Sequence, residues 1–168
     1  QALISIQRHD SQSQPSPVCH SIQGLNEQTM KYSLSSAAPE NLATDCLVVP
    51  ILEKNQLTEA GKALDNAAGK SLSRILKSGD VSGKNGETLL LHGLDGIRAR
   101  RVLLIGCGET KKLDAKNYRK MLQAMVKTLA GLSVTKAHLL LTGLPVSDRD
   151  GEWLVARAVQ ETEEGLYR

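Results

Sequence analysis

The sequence predicts a single α/β domain in which a mixed β-sheet carries helices on both faces. Its 168 residues suffice for one domain with a sizeable core. Apolar runs of strand length alternate along the chain with stretches of helical periodicity. The resulting order of elements, ββαββαβα, is typical of a sheet covered by helices on both sides.

The first predicted strand begins at Met30. Polar and apolar residues alternate in "MKYSLSS", as they do in a half-buried strand. The preceding residues 1–29 are rich in Ser, Gln and Pro and keep no period of 2 or 3.6. Such a segment buries too little to offset its ordering entropy. We therefore expect residues 1–29 to be a disordered leader or upstream extension without a role in the fold, and residues 30–168 to be the domain.

A second strand and a helical segment follow. "DCLVVPI", residues 45–51, predicts a buried strand that ends in a turn at Pro50. The periodic stretch after it predicts a helix that is capped by Thr58 and stops before Gly79. Gly69 lies within this stretch and predicts a break in the helix.

Two further strands and a long helix form the next part of the chain. "TLLLHG" and "RVLLIG" are apolar runs that we expect to be central strands. Asp114 is a suitable N-cap for the helix that follows. The predicted buried stripe of this helix is Tyr118, Leu122, Met125 and Leu129, and its predicted basic outer face is Lys116, Lys120, Gln123 and Lys127.

The last predicted elements are a buried strand at residues 137–143 and a helix at residues 153–167. The residues of this helix expected to face the core are Val155, Val159, Thr162 and Leu166. Nearby acids are interpreted as solvated charges on a loop and an outer helix face: Asp148, Asp150, Glu161, Glu163 and Glu164.

The composition excludes several classes of protein. No apolar run reaches the length of a membrane span, so we expect no membrane partner. The three cysteines are odd in number and widely spaced, which indicates a reducing, cytoplasmic compartment. One Trp, three Tyr and no Phe leave little from which to build a stacking platform for single-stranded nucleic acid. The net charge of +3 permits DNA binding without arguing for it.

The stretch "RVLLIGCGET" raises the question of nucleotide binding, because a glycine-rich strand-to-helix turn can present N–H groups to a phosphate. Gly106 and Gly108 match the first two glycines of a dinucleotide fingerprint. The third position is Lys111, and Thr142 and Gly143 stand where an acid would bind the ribose. The sequence therefore favours a tight strand-to-helix turn at Gly106 and Gly108.

No catalytic or metal-binding residue is assigned. The four histidines do not cluster with cysteines or acids at ligand spacing. No histidine follows Cys107 at a spacing typical of a nucleophilic site. Basic residues do accumulate around the Gly-x-Gly stretch, either as a solubilising rim or as contacts to DNA or another anion. They are Arg100, Arg101, Lys111, Lys112, Lys116 and Lys120.

From residue 30 to residue 168 the chain resembles the N-terminal domain of bacterial leucyl aminopeptidases, the cytosol aminopeptidases of metallopeptidase family M17. The resemblance rests on an ordered set of segments: "DCLVVPI", "LTEAGKALDNAAG", "GETLLLHG", "RVLLIGCGE", "LDAKNYRK" and the terminal "LYR". It implies a macrodomain-like mixed sheet in a homo-hexamer. In that family, two divalent metal ions, Mn or Zn, and the peptide hydrolysis belong to a C-terminal catalytic domain. Its motif "NTDAEGR" does not occur in this sequence, so no catalytic residue is carried over.

Three hypotheses about function follow from these observations. The first is an assembly and accessory domain of a hexameric aminopeptidase, with peptide substrates handled by the catalytic domain. The second is a surface for double-stranded DNA, because some bacterial relatives of this family are also DNA-binding regulators. The third is a macrodomain-like pocket for an ADP-ribose type of ligand, which rests on fold analogy.

Overall fold

The computed structural model describes residues 3–9, 29–141 and 143–166. Seven strands and four α-helices make up this part of the chain. The strands are β1 (Leu3–His9), β2 (Thr29–Ser35), β3 (Cys46–Leu52), β4 (Gln56–Leu57), β5 (Thr88–His92), β6 (Arg101–Gly108) and β7 (Lys136–Leu139). The helices are α1 (Glu59–Ala67), α2 (Ser71–Ser78), α3 (Ala115–Ala130) and α4 (Gly151–Leu166).

All seven strands join one mixed sheet in the order β2-β1-β7-β3-β6-β5, with β4 paired to β3. The strand β3 runs parallel to both β6 and β7. The remaining neighbours are antiparallel. Because these three central strands are parallel, the carboxyl ends of β3, β6 and β7 lie on the same side of the sheet. The segments that follow these strands lie there as well.

Helices cover both faces of this sheet, as the sequence predicts. Side chains of β3 alternate between the faces, so Val48 packs into one core and Leu47 into the other. The core that holds Val48 contains Tyr118 of α3 and Leu154 of α4. The core that holds Leu47 contains apolar side chains of α1 and α2. The predicted mixed α/β sheet is therefore confirmed.

The helix signals in the sequence are confirmed at their ends. The Thr58 hydroxyl accepts a hydrogen bond from the Gly61 N–H at 3.2 Å. The Asp114 carboxylate accepts one from the Asn117 N–H at 2.8 Å. Between α1 and α2 the chain breaks at Gly69, which has a φ of +59°, and α2 ends at Gly79, which has a φ of +87°. Both glycines adopt the left-handed conformation that favours this residue.

The prediction that residues 1–29 have no role in the fold is wrong for residues 3–9. Residues 3–9 form β1, which is hydrogen-bonded to β2 on one side and to β7 on the other. Leu3, Ile4 and Ile6 are buried in the cores. From the sequence alone, we expected the ordering entropy of this segment to exceed its gain from burial. Hydrogen bonds to two neighbouring strands, together with side chains buried on both faces of the sheet, offset that entropy. The rest of the expected leader, residues 10–28, lies outside the described residues.

Two strand predictions need correction. The strand β5 was expected to be central, but among the described strands it pairs only with β6 and forms an edge of the sheet. Pro50 does not end β3, which continues to Leu52. The Leu140 N–H donates to the Val48 carbonyl, so the backbone N–H and C=O groups of Val48 face β7. The same groups of every second residue of β3 face the same way. Pro50 faces the same side beyond the end of β7 at Leu139, so its missing N–H removes no ladder hydrogen bond.

The buried face of α4 is displaced from the predicted one. Leu154, Ala158 and Glu161 are buried together with Thr162, whereas Val155, Val159 and Leu166 are half-buried. Glu161 was interpreted as a solvated charge, but its side chain is only 2% exposed. Its carboxylate pairs with the Arg119 guanidinium of α3 at 2.6 Å. This ion pair makes burial of an acid tolerable, and apolar periodicity carries no signal for it.

A buried histidine on β7 gives a pH-dependent prediction. His138 is 4% exposed and lies opposite the buried Ser5 of β1. Burial, together with the charge of Lys136, holds the pKa of His138 below its usual value. Between that lowered pKa and about 6.5, the unfolded chain binds more protons than the folded one. We expect the free energy of unfolding to decrease as the pH falls through this window.

The slope contributed by one histidine is at most about 1.4 kcal/mol per pH unit. Urea denaturation of the wild type and of His138→Gln between pH 7.5 and 5 measures it. The variant should show a shallower pH dependence than the wild type. An identical dependence in both proteins would mean that His138 titrates as it does in the unfolded chain.

Candidate functional site

The six candidate basic residues do not form one surface. Arg100 and Arg101 lie at the start of β6, whereas Lys111 and Lys112 follow its end. The eight residues of β6 separate the two groups by about 23 Å, at 3.3 Å per residue. The basic residues expected to form one rim are therefore divided between the two ends of β6. We call Arg100 and Arg101 the arginine end, and Lys111, Lys112, Lys116 and Lys120 the lysine end.

Arg100 and Arg101 interact with neighbouring groups of the protein. The Arg101 guanidinium donates to the Ser133 carbonyl at 3.4 Å. Asp45 lies near both arginines and accepts hydrogen bonds from the N–H groups of Lys136 at 3.0 Å and Thr135 at 2.9 Å. The Lys136 hydrogen bond, with help from Thr135 and the arginine charges, holds the pKa of Asp45 below its usual value. An anion approaching this end meets a carboxylate as well as the guanidinium groups.

The lysine end is more open. Lys112 pairs with Glu109 at 2.8 Å, and this hydrogen bond raises the pKa of Lys112. Lys111, Lys116 and Lys120 are exposed and form no ion pair with a residue that the structure describes. Lys116 and Lys120 are one turn apart on α3, so their ammonium groups face the same side. We call Lys116 and Lys120 the lysine face of α3.

The two glycines of "IGCGE" do not form the expected strand-to-helix turn. Gly106 lies inside β6, and Gly108 ends the strand with a φ of +80°. The Gly106 N–H donates to the Glu87 carbonyl at 2.7 Å. The Gly108 N–H donates to the Gly83 carbonyl at 2.9 Å. Because both donors are used within the protein, a phosphate would find no free N–H group at either glycine.

Residues 82–87, which we call the crossing loop, pack against Gly106, where a Cβ atom would meet the backbone of Gly83 and Lys84. The Glu87 carboxylate accepts hydrogen bonds from the Ser82 N–H at 2.9 Å and the Lys84 N–H at 3.2 Å. Burial raises the pKa of Glu87, but these hydrogen bonds outweigh it and the net pKa is lowered. The Asn85 amide donates to the carbonyls of Cys107 at 3.2 Å and Asn117 at 2.8 Å. The crossing loop is thus fastened to both β6 and α3.

The two described cysteines are packing residues. Cys107 is 1% exposed, and burial raises the pKa of its thiol to about 12. Burial likewise raises the pKa of Cys46 to about 11. Both thiols are protonated at neutral pH, and a protonated thiol is a poor nucleophile.

A pocket of about 260 Å³ lies beyond the carboxyl ends of β3 and β7. We call it the switch pocket, because the chain leaves β3 toward the α1 face and leaves β7 toward the α4 face. Ligands of open α/β sheets bind at such points. Thr58 and Glu59 line it at the start of α1, and Gly143 lines it after β7. Its apolar walls are Leu3, Leu52, Leu57, Ala60, Leu140 and Pro145. Sequence reasoning missed this site because its walls come from three separate segments of the chain: β1, the β3–α1 segment and the segment after β7.

Residues 3–9, 29–141 and 143–166 contain no group of three or more His, Cys, Asp or Glu side chains placed to bind a metal ion. The two ions that the resemblance implies do not fit this part of the chain, because such ions need several converging carboxylates. None of the helices described here has the length and apolar character needed to cross a membrane.

Comparison with known proteins identifies relatives of the chain. Residues 48–168 match the model of the cytosol aminopeptidase family, N-terminal domain. The chain is 41% identical over 139 residues to a probable cytosol aminopeptidase of Methylobacillus flagellatus, and 38% identical over 138 residues to one of Pseudoalteromonas atlantica. These alignments cover 83% and 82% of this chain and 28% of each relative. The chain therefore spans less than a third of the length of these relatives.

A solved structure also resembles the fold. The macrodomain of Mycobacterium tuberculosis DarG superposes with a TM-score of 0.59 at 15% sequence identity. The superposition covers 77% of this chain and 88% of that one. The likeness shows the macrodomain-like fold that the resemblance implied. The match over residues 48–168 leads to one conclusion: the chain belongs to the cytosol aminopeptidase family and contains its N-terminal domain.

Proposed function

We propose that this chain acts as the non-catalytic N-terminal domain of a cytoplasmic leucyl aminopeptidase. The observation that carries the proposal is the family match over residues 48–168, in a chain that covers only 28% of relatives named cytosol aminopeptidase. The hydrolysis of peptides, and the two Mn or Zn ions that support it, belong in this proposal to a catalytic domain that follows in the full-length polypeptide. In this proposal the domain includes the strand β1, which pairs with β2 and β7 of the sheet.

The role proposed for the domain is in assembly and regulation. Its partners are its own catalytic domain and the other copies of a homo-hexamer. The share of the relatives' length that the chain covers, 28%, supports partners within a larger polypeptide. The buried Glu161 and its partner Arg119 hold these two helices in a fixed relation.

Sedimentation of the full-length polypeptide tests this role. We expect a hexamer when the domain is present and smaller species when residues 1–166 are deleted. A deletion variant that keeps both the hexamer and the peptidase activity would overturn the assembly role. Retention of the hexamer with a changed KM or kcat would instead assign the domain to regulation alone.

A second function, contact with double-stranded DNA, is favoured by the lysine face of α3. Two exposed ammonium groups that form no ion pair with a described residue can follow a phosphate backbone. The arginine end lies at the other end of β6, so it adds nothing to this contact. We propose weak binding that is indifferent to sequence and falls steeply with salt.

Fluorescence anisotropy with a DNA duplex at two salt concentrations measures this binding. The variant Lys116→Glu/Lys120→Glu should bind more weakly than the wild type, with a smaller salt slope, because two phosphate contacts are lost. The variant Lys31→Glu/Lys77→Glu changes the net charge equally at other exposed sites and serves as the control. Equal losses in both variants would assign the effect to net charge rather than to the lysine face.

A further inference from the structure

The strand β5 has the composition of a central strand, although it lies at an edge of the described sheet. Its sequence, "TLLLH", contains a continuous apolar run, which is typical of strands that are buried on both faces. All residues of the central strand β6 after Arg101 are buried, whereas every residue of β5 is half-buried or exposed. The described part of the chain therefore covers the apolar side chains of β5 incompletely.

Both faces of β5 continue a core of the domain. Leu90 packs against the core that contains Tyr118 of α3. Leu89 and Leu91 pack against the core that contains apolar side chains of α1 and α2. A further strand beside β5 would cover these leucines on both faces of the sheet at once. Burial of apolar surface is the main favourable contribution to such an association.

The two ends of β5 show which of its residues bond to β6. The Gly106 N–H donates to the Glu87 carbonyl at 2.7 Å, and the Gly93 N–H donates to the Arg100 carbonyl at 3.2 Å. Both pairs continue the antiparallel register of β5 and β6. In such a register, the backbone groups of every second residue point toward the same neighbour. The odd-numbered residues from 87 to 93 therefore bond to β6.

The even-numbered residues of β5 turn their backbone groups toward the open edge. These residues are Thr88, Leu90 and His92, and each has one N–H and one C=O. The outward groups form no hydrogen bond with a residue that the structure describes. A row of unpaired groups of this kind is a template for a further strand.

The other edge of the described sheet, β2, is less suited to pairing. It carries the exposed Lys31 within the strand. A lysine on an edge strand opposes the addition of another strand, because its charge would have to leave water. The strand β5 contains no Lys, Arg, Asp, Glu or Pro. It therefore has none of the residues that usually prevent edge-to-edge contact.

A second copy of β5 is complementary to this edge. In an antiparallel pair centred on Leu90, this residue lies opposite Leu90 of the second copy, and Thr88 lies opposite His92. Glu87 then faces Gly93, so no two charges of the same sign are directly opposed. The outward groups meet in three residue pairs with two hydrogen bonds each.

Symmetry favours a second β5 over the β2 edge of another copy. Pairing of β5 with β2 is heterologous, so each added copy leaves a new free edge and the assembly continues as a filament. Pairing of β5 with β5 is isologous and uses both open β5 edges. Association then stops at two copies, and the two sheets become one continuous sheet.

We propose that β5 pairs with β5 of a second copy of this chain, antiparallel and centred on Leu90. This contact goes beyond the proposed homo-hexamer, because it names a strand and a register and concerns the 168-residue chain by itself. Five paired residues bury less surface than the about 1,200–2,000 Å² of stable interfaces. We therefore expect a weak dimer, with a Kd of about 0.1–1 mM.

Hydrogen exchange measured by NMR at two protein concentrations tests the pairing residue by residue. Between about 0.05 and about 2 mM, the N–H groups of Thr88, Leu90 and His92 should exchange about two- to fourfold more slowly, in proportion to the decrease of the monomer. Those of Leu89 and Leu91 bond to β6 in both states and should change little. The alternation along β5 is specific to strand pairing, because a contact of side chains alone would not produce it.

Matched variants connect the association to β5. Leu90→Lys places two ammonium groups opposite each other and should abolish the dimer that sedimentation equilibrium detects in the wild type. Ser33→Lys adds the same charge at an exposed position of β2 and should leave the dimer unchanged. Thr88→Pro keeps the hydrogen bonds to β6 but removes two across the pair, so it should weaken the dimer by about tenfold or more. Circular dichroism checks that each variant is folded.

Equal exchange at both concentrations, or an undiminished dimer in folded Leu90→Lys, would overturn the proposal. Loss of the dimer in Ser33→Lys alone would do the same, because it would assign the contact to β2. Assemblies that grow beyond two copies would show heterologous pairing and would also overturn it. The proposed hexamer is tested separately, by sedimentation of the full-length polypeptide.

Discussion

Ile4→Ala is expected to lower the free energy of unfolding by about 2–5 kcal/mol, the usual cost of truncating a buried isoleucine. Ile4 is 1% exposed and belongs to the same core as Tyr118 and Leu154. Its side chain leaves the sheet toward α3 and α4, so truncation opens a cavity between the sheet and these helices. Because β1 is hydrogen-bonded to both β2 and β7, its backbone cannot easily move to fill the cavity, which places the cost in the upper part of this range.

Urea denaturation of Ile4→Ala beside Gln7→Ala measures this effect. Gln7 lies on the same strand but is exposed, so its truncation should change the free energy of unfolding by no more than about 0.5 kcal/mol. If the two variants were equally stable, β1 would not belong to the folded domain. The interpretation of residues 1–29 as a leader without a role would then stand.

Gly106→Ala is expected to destabilise the domain by about 3 kcal/mol or more. A Cβ atom at this position would lie 2.0 Å from the Lys84 carbonyl oxygen and 2.9 Å from the Gly83 carbonyl carbon. Both atoms belong to the backbone of the crossing loop, which the Glu87 carboxylate holds in place. Neither β6 nor the crossing loop can move away without losing the hydrogen bonds that join them.

Gly151→Ala is the matched control, because a Cβ atom there has no neighbour within 4 Å among the residues that the structure describes. Thermal unfolding of both variants, followed by circular dichroism, gives the comparison. We expect a large decrease in Tm for Gly106→Ala and little change for Gly151→Ala. A small effect at Gly106 would show that the crossing loop is free to leave the glycines, which would reopen nucleotide binding there.

The helices could be predicted from the sequence because their signals are local. The caps at Thr58 and Asp114 and the break at Gly69 each depend on residues within four positions of one another. Tyr118 and its buried neighbours follow from the helical period alone. The helix α4 is the exception: it begins at Gly151 rather than at residue 153, and its buried face includes Glu161, which pairs with Arg119 of α3.

The sheet was less predictable because strand pairing is not local. β1 is a short strand of mixed composition whose partners are residues 29–35 and 136–139. Nothing near residues 3–9 specifies those partners. Pro50 remains within β3 because β7 ends where its N–H would have been needed. That condition depends on a strand more than eighty residues away, so the sequence wrongly predicted a turn.

Among the candidate sites, too, those defined by local spacing could be predicted and those defined by topology could not. The lysine face of α3 follows from helical spacing, so the sequence suffices to find it. The distance between the arginine end and the lysine end follows from the direction of β6, and the filling of the space above Gly106 follows from the crossing loop. The switch pocket requires the meeting of β1, the β3–α1 segment and the β7–α4 segment. These features depend on topology, which residue spacing does not encode.

Hydrolysis of leucine p-nitroanilide in the presence of Mn²⁺ or Zn²⁺ tests the central claim most directly. The 168-residue chain should show no metal-dependent turnover, since its described residues contain no group of carboxylates placed to hold the ions. The polypeptide extended by its downstream coding sequence should hydrolyse the substrate and lose that activity on chelation. Metal-dependent turnover by the 168-residue chain alone would contradict the assignment of a non-catalytic domain.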